Sequence, residues 1–185
     1  MQGVGYGPIV PFDTGREIAD IYGRCFRGVY GYCAYRLYTR SLAEDATSTV
    51  FLKLVEKYPA LRSKTQREIR NWLYGTASNV VASYLRDAAR REKIAAALSR
   101  DRANLSAQDP RKGNRFDWPV LYEAMRQLTP EVQAIVALRY FEGLTTSEIA
   151  ESLGLKHVTV RVRLSRAIKS LRERLERPLG PYRTT

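Results

Sequence analysis

Residues 144–167 read LTTSEIAESLGLKHVTVRVRLSRA, two helical segments with a turn between them. Thr145 stands three residues before Glu148, the spacing of a capping box, so a short helix begins there and continues through Ile149, Ala150 and Leu153. Gly154-Leu155 supplies the turn, and a longer helix extends from about Val158 to Leu175. Helix, short glycine-containing turn, helix is the helix-turn-helix layout, whose second member enters the major groove of duplex DNA.

The charge pattern agrees with that assignment. Residues 129–155 hold one basic residue (Arg139) against four acidic ones, whereas 156–177 hold eight basic residues against two acidic. Positive charge therefore gathers on the helix that would face phosphates. At about 100° per residue, Val160, Leu164, Ala167, Ile168, Leu171 and Leu175 share one arc and form the expected core face. The opposite arc collects Val158, Val162, Ser165, Arg166 and Lys169, with Arg161 at its edge. Valines set among arginines suit base reading, because an apolar side chain can touch a thymine methyl while arginine forks onto guanine. A basic surface helix with no partner is the alternative reading of the same arc. Arg163 lies near the core arc and is expected to pair or snorkel. His157 precedes the helix and is placed either for a phosphate contact or as a surface histidine of no consequence.

Upstream, Val120, Leu121, Ala124, Met125 and Leu128 form a short helix. Thr129-Pro130-Glu131 then starts another, with threonine as N-cap and proline at the first helical position, running toward Gly143. Residues 99–117, SRDRANLSAQDPRKGNRFD, lose helical periodicity and gather turn formers, as a linker does. Before it lie three amphipathic segments. The first has Thr14-x-x-Glu17 as a capping box and an apolar stripe of Ile18, Ile21, Tyr22, Cys25, Phe26, Val29, Tyr30, Cys33, Ala34 and Leu37. The second has Ser41-x-x-Glu44, then Ala46, Val50, Phe51, Leu54 and Val55, with Pro59 just past its end. The third has Thr65-x-x-Glu68, then Ile69, Trp72, Leu73, Thr76, Ala77, Val80, Tyr84 and Leu85.

No stretch alternates with period two over strand length, so the fold class is all-α: two small helical domains joined by a flexible linker. The boundaries are a Gly/Pro-rich leader at 1–13, a first domain at 14–97, a linker at 98–118, a helix-turn-helix domain at 119–177 and a tail at 178–185. Residues 61–93 carry eight basic residues against three acidic, a second cationic surface. Trp72, Tyr74, Ser78, Asn79, Ser83 and Tyr84 interleave with it, a mixture able to hold unpaired bases by stacking and hydrogen bonding. Trp72 and Tyr84 also fall on the apolar stripe, where core packing would explain them.

The chain has 185 residues, a formal charge of +12, 44% hydrophobic and 27% charged residues, which describes a globular protein with an anionic partner. No apolar run approaches the roughly 20 residues of a membrane span, so a cytoplasmic protein without membrane insertion is expected. One histidine and two cysteines are too few for an ordinary zinc site. If Cys25 and Cys33 share a helix, eight residues at ~1.5 Å rise hold them about 12 Å apart, beyond disulfide reach. There is no phosphate loop, nucleophile elbow or metalloprotease motif, so neither catalysis nor a cofactor is expected.

The order of these pieces resembles the extracytoplasmic-function (ECF) class of bacterial sigma factors, small members that keep only sigma regions 2 and 4. Residues 42–54, LAEDATSTVFLKL, resemble the family's polymerase-binding helix, and 69–79, IRNWLYGTASN, resemble the helix that recognises and opens the minus-10 element. Residues 144–155 and 159–167 follow its minus-35-reading motif, with Val158 and Val162 where the family usually has Gly and Ser. Ser48-Thr49 replaces a common Gln-Glu in the polymerase-binding helix.

The resemblance implies a factor that directs promoter-specific initiation. Asp45, Ser48, Thr49, Phe51, Leu52 and Val55 would bind the clamp coiled coil of the largest subunit of core RNA polymerase. Arg62, Lys64, Arg67, Arg70, Trp72, Asn79, Arg86 and Arg90 would serve the minus-10 element. His157, Val158, Arg161, Val162, Ser165, Arg166 and Lys169 would serve the minus-35 element. It further implies promoter DNA and core polymerase as partners, with an anti-sigma factor or other regulator in control. A stand-alone helix-turn-helix regulator, binding duplex DNA as a dimer, is the alternative, and a helical interaction protein with only non-specific DNA affinity is a third reading.

Overall fold

A computed structural model describes residues 12–37, 39–98 and 123–176, with side chains through 91 in the second span. Six helices are labelled in chain order: α1 Phe12–Leu37, α2 Arg40–Leu61, α3 Gln66–Leu98, α4 Pro130–Tyr140, α5 Thr146–Leu153 and α6 His157–Glu176. Residues 123–126 add a short helical turn before α4, and no strand occurs among the described residues. The leader, most of the linker and the tail expected from the sequence lie outside the described residues.

Helices α1, α2 and α3 each pack against the other two. Their facing stripes bury Val29, Tyr32 and Cys33 from α1, Val50 and Leu54 from α2, and Leu73 and Val81 from α3, all with essentially no exposed surface. Each such aliphatic side chain contributes about 1.5–3 kcal/mol on leaving water, and removing any one leaves a cavity that costs more. Cys33 is buried and Cys25 half-buried, and both are free thiols. Tyr22 and Phe26, expected on the buried stripe, are instead 44% and 37% exposed. The stripe is wider than two partner helices can cover, so its flank faces outward.

Two expected caps are not formed. The first helix begins at Phe12, so Thr14 lies inside it, and Glu17 reaches across to α2, accepting from the Tyr58 hydroxyl at 3.0 Å and pairing with Arg62 at 3.1 Å. The second helix takes Thr39 as its N-cap without a side-chain cap bond, and Glu44 pairs with Arg40 at 2.8 Å instead of capping through Ser41. Pro59 sits within α2, in its last turn, and the helix ends at Leu61. The cap at Thr65 is formed. Its backbone N–H and hydroxyl donate to the Glu68 carboxylate at 2.9 and 2.8 Å, and Thr65 Oγ1 accepts from the Glu68 N–H at 3.3 Å.

In the C-terminal half, α4 buries Gln133 through Leu138, and Gln133 donates to the carbonyls of Met125 and Leu128. Thr129 precedes it in extended conformation with Pro130 at N1 but makes no side-chain cap bond. The Thr145–Glu148 capping box is complete, and α5 stops at Gly154, whose φ of 64° is the left-handed conformation glycine adopts without steric cost. Among the described residues no helix is long and apolar enough to cross a membrane.

The bonds from Thr65, first through its backbone N–H and then its hydroxyl, hold the Glu68 carboxyl at about 2, below its ordinary 4.5. A depressed carboxyl pKa stabilises the fold above the ordinary value, and that contribution fades as pH falls through the folded one. Thr65→Ala removes the hydroxyl bond, so an NMR titration of the Glu68 carboxyl should show its midpoint moving up toward the ordinary value, with acid unfolding beginning at higher pH.

Candidate nucleic-acid interface

Helix α6 can bury only one stripe, and the stripe it buries decides what it presents. Val160, Ala167 and Leu171 are buried against α4 and α5, with Leu164 and Ile168 half-buried beside them. Leu175, expected with the core, is 45% exposed, because α6 runs on past the elements that cover its earlier turns. Val158 is 68% exposed and Val162 42%, on the side opposite Val160. Arg161, Ser165, Arg166 and Lys169 are exposed around them. The predicted reading face is therefore one continuous outward surface, along an open groove of about 1160 Å³ that Tyr140 and Thr146 also line.

Two neighbouring groups also make contacts within the protein. Arg163 pairs with Glu131 of α4, as its place near the core arc suggested. His157 shares a 2.8 Å hydrogen bond with the hydroxyl of Thr146, which ties the start of α6 to the start of α5. Tyr140 and Thr146 were missed by sequence reasoning, since neither lies on α6 and only the docking of α4 and α5 brings them to its flank.

The second cationic surface lies along α3 and the turn before it. Arg67, Asn79, Arg86 and Arg90 are exposed, and Trp72 is half-buried. Arg62 pairs with Glu17, and Lys64 with Glu68 at 3.3 Å, both at the surface where such pairs exchange readily with solvent. Arg70 is placed differently: its Nη2 donates to the backbone carbonyl of Glu142 at 2.7 Å, and its guanidinium lies 5.8 Å from the Tyr74 ring centroid. Tyr74 donates to the Glu142 carboxylate. Burial pushes the Glu142 carboxyl up, and the Tyr74 bond and Arg70 charge oppose that.

On α2, Asp45, Ser48, Leu52 and Val55 are exposed, Leu52 at 64%. Thr49 is half-buried and returns its hydroxyl to the Asp45 carbonyl at 2.8 Å. Phe51 is buried to 7%, its ring 4.7 Å from Tyr22 and 6.2 Å from Phe26. Phe51 thus backs the exposed rings of Tyr22 and Phe26. The sequence signal for the two α1 aromatics was present but was read as core.

The sequence matches two family models, sigma-70 region 2 over residues 21–91 and sigma-70 region 4 over 120–171. It is 30% identical over 136 residues to the ECF RNA polymerase sigma factor SigL of Mycobacterium tuberculosis, covering 72% of this chain and 75% of SigL. It is 28% identical over 159 residues to the ECF RNA polymerase sigma factor BldN of Streptomyces coelicolor, covering 83% of this chain but only 60% of BldN. In fold it is similar to the sigma factor RpoE of Bartonella quintana, solved in complex with the anti-sigma factor NepR, with a TM-score of 0.67 at 18% identity over 88% of this chain and 96% of RpoE.

Arg163 and Arg166 are three positions apart with different surroundings, and their substitutions separate accordingly. Arg163→Ala should lower stability by roughly 0.2–1 kcal/mol, the range of partly exposed ion pairs, while leaving the rank order of bound DNA sequences unchanged in a competition assay.

Proposed function

Because this chain belongs to the ECF sigma factors of RNA polymerase, and carries sigma-70 regions 2 and 4 in that order, we propose that it joins core RNA polymerase and directs it to promoters bearing unlike minus-10 and minus-35 elements. The observation that carries the reading is the presence of both regions on one chain, each with its own exposed basic helix. A stand-alone dimeric regulator would use residues 21–91 only for dimerisation or sensing, which gives the exposed basic helix α3 no role.

In this reading residues 14–97 act as region 2 and 119–177 as region 4, with 98–118 tethering them. Asp45, Ser48, Thr49, Leu52 and Val55 contact the clamp coiled coil of the polymerase's largest subunit, with Phe51 holding the surface from beneath and Tyr22 and Phe26 extending it. The α3 face, from Arg62 and Lys64 through Arg67, Arg70, Trp72 and Asn79 to Arg86 and Arg90, takes the minus-10 element, its non-template bases stacking on aromatic rings while arginines hold phosphate. In region 4, Arg161, Val162, Ser165 and Arg166 read base edges of the minus-35 element. Val158, His157 and Lys169 fill out the contact. Tethering makes the second contact effectively intramolecular, raising affinity without a new interaction.

The chain supplies no chemistry of its own, and works in the cytoplasm on a polymerase that does. An anti-sigma factor holds it inactive until a signal arrives, a role consistent with its fold likeness to RpoE, which was solved with NepR bound.

Addition of the purified chain to core polymerase from its own bacterium should create new, discrete start sites on genomic DNA, and the absence of any would overturn the proposal. Arg166→Ala should cost about 1–3 kcal/mol and relax selection at a single minus-35 base pair, whereas Arg172→Ala should weaken all sequences evenly and flatten the salt dependence. Equal loss on every sequence from Arg166→Ala would remove its base-reading role.

A further inference from the structure

Exposed positions on a helix are best filled by strong helix formers, because packing makes no demand there. Val158 and Val162 break that rule on α6. Valine loses side-chain freedom in a helix and ranks below alanine, leucine, lysine and arginine as a helix former, and here burial does not compensate. Val158, at 68%, is the most exposed large apolar side chain among the described residues, and Val162 is 42% exposed. Val160 between them already serves the core and shows no surface. The two outward valines therefore weaken the helix and add nothing to the fold.

Their setting is as particular as their exposure. At about 100° per residue the two lie within ~40° of each other, with Arg161 and Arg166 one on each side, both exposed. No carboxylate occurs on α6 from His157 through Arg172. The helix is not free to turn the valines away, because His157 bonds Thr146 of α5 at 2.8 Å and Arg163 pairs with Glu131 of α4. A valine in a helix keeps essentially one rotamer, so little freedom is lost when another group packs on it. Both are positions where α6 departs from the family's usual residues, so whatever they contact is particular to this chain.

We propose that Val158 and Val162 are specificity residues for thymine, each packing on the C5-methyl group of a thymine in the major groove of the minus-35 element. The inference rests on the assignment of the α6 face to that element. In the major groove adenine, guanine and cytosine present hydrogen-bonding groups, and thymine alone adds a methyl. Valine can bond to none of the polar edges and would strip water from any that it covered, so only the methyl gains from the contact. Short side chains at the centre let the helix seat closely, while the longer arginines on either side reach guanine or phosphate. Spacing then sets the pattern. Four residues at 1.5 Å rise span ~6 Å, about two base-pair steps of 3.4 Å for a helix lying along the groove.

The test lets the full-length chain, with and without core polymerase, select duplexes from a randomised pool. The retained element should hold two thymines about two steps apart. Replacing either with deoxyuridine removes the methyl alone and should weaken wild-type binding about fourfold, the effect of withdrawing one buried methyl. Val158→Ala should become indifferent to uracil at one of these positions and Val162→Ala at the other, each keeping its sensitivity elsewhere. Both changes place a better helix former at an exposed site, so folding is preserved. A selected element without thymine, or uracil duplexes held as tightly as thymine ones by wild type, overturns the methyl contact. So does a uracil penalty that persists in both variants, which leaves the valine face to a protein partner. Thymine-dependent binding without new start sites on addition of polymerase supports the contact and overturns the sigma-factor reading instead.

Discussion

A helix that packs from one side must leave its other side to solvent, and the C-terminal half of this protein depends on that constraint. Once Val160, Ala167 and Leu171 are turned against α4 and α5, nothing else determines which side chains α6 displays. Val158, Val162, Arg161, Ser165 and Arg166 face outward as the complement of the core. The role proposed for them in reading DNA rests on their identity, but their orientation is a packing result. The ion pair of Arg163 with Glu131 and the bond of His157 to Thr146 then hold the helix against rotation about its axis.

The same constraint acts less completely in the N-terminal bundle. Two partner helices cannot cover the broad apolar stripe of α1, so Tyr22 and Phe26 remain at the surface, their rings against the buried Phe51, while Leu52 and Val55 are exposed on α2. An exposed apolar patch of this kind on a highly charged protein marks a protein contact. Region 2 thus carries exposed side chains of opposite character, apolar ones on α1 and α2 and cationic ones along α3.

The seam between the halves joins these two themes. Acidic residues of region 4 lie against basic and polar residues of region 2, and helix-interior glycines leave room for them.

Local signals were readable where chemistry was local. The capping boxes at Thr65 and Thr145, the glycine turn at Gly154 and the outward arc of α6 all depend on residues within one or two turns of each other. Thr14-x-x-Glu17 and Ser41-x-x-Glu44 have the same pattern yet form no cap, because Glu17 finds Tyr58 and Arg62 on another helix, and α2 starts before Ser41 with Arg40 beside Glu44. Composition and periodicity alone determined an all-α chain with two cationic helices, since burial of apolar stripes at helical spacing leaves no other economical arrangement. Only the tertiary structure decided that Leu175 is exposed, that Arg36 is buried, and that Glu142 and Glu151 meet α3. The last two outcomes depend on contacts between residues some seventy to ninety-five positions apart, and no periodicity along the chain encodes where two separately folded surfaces meet.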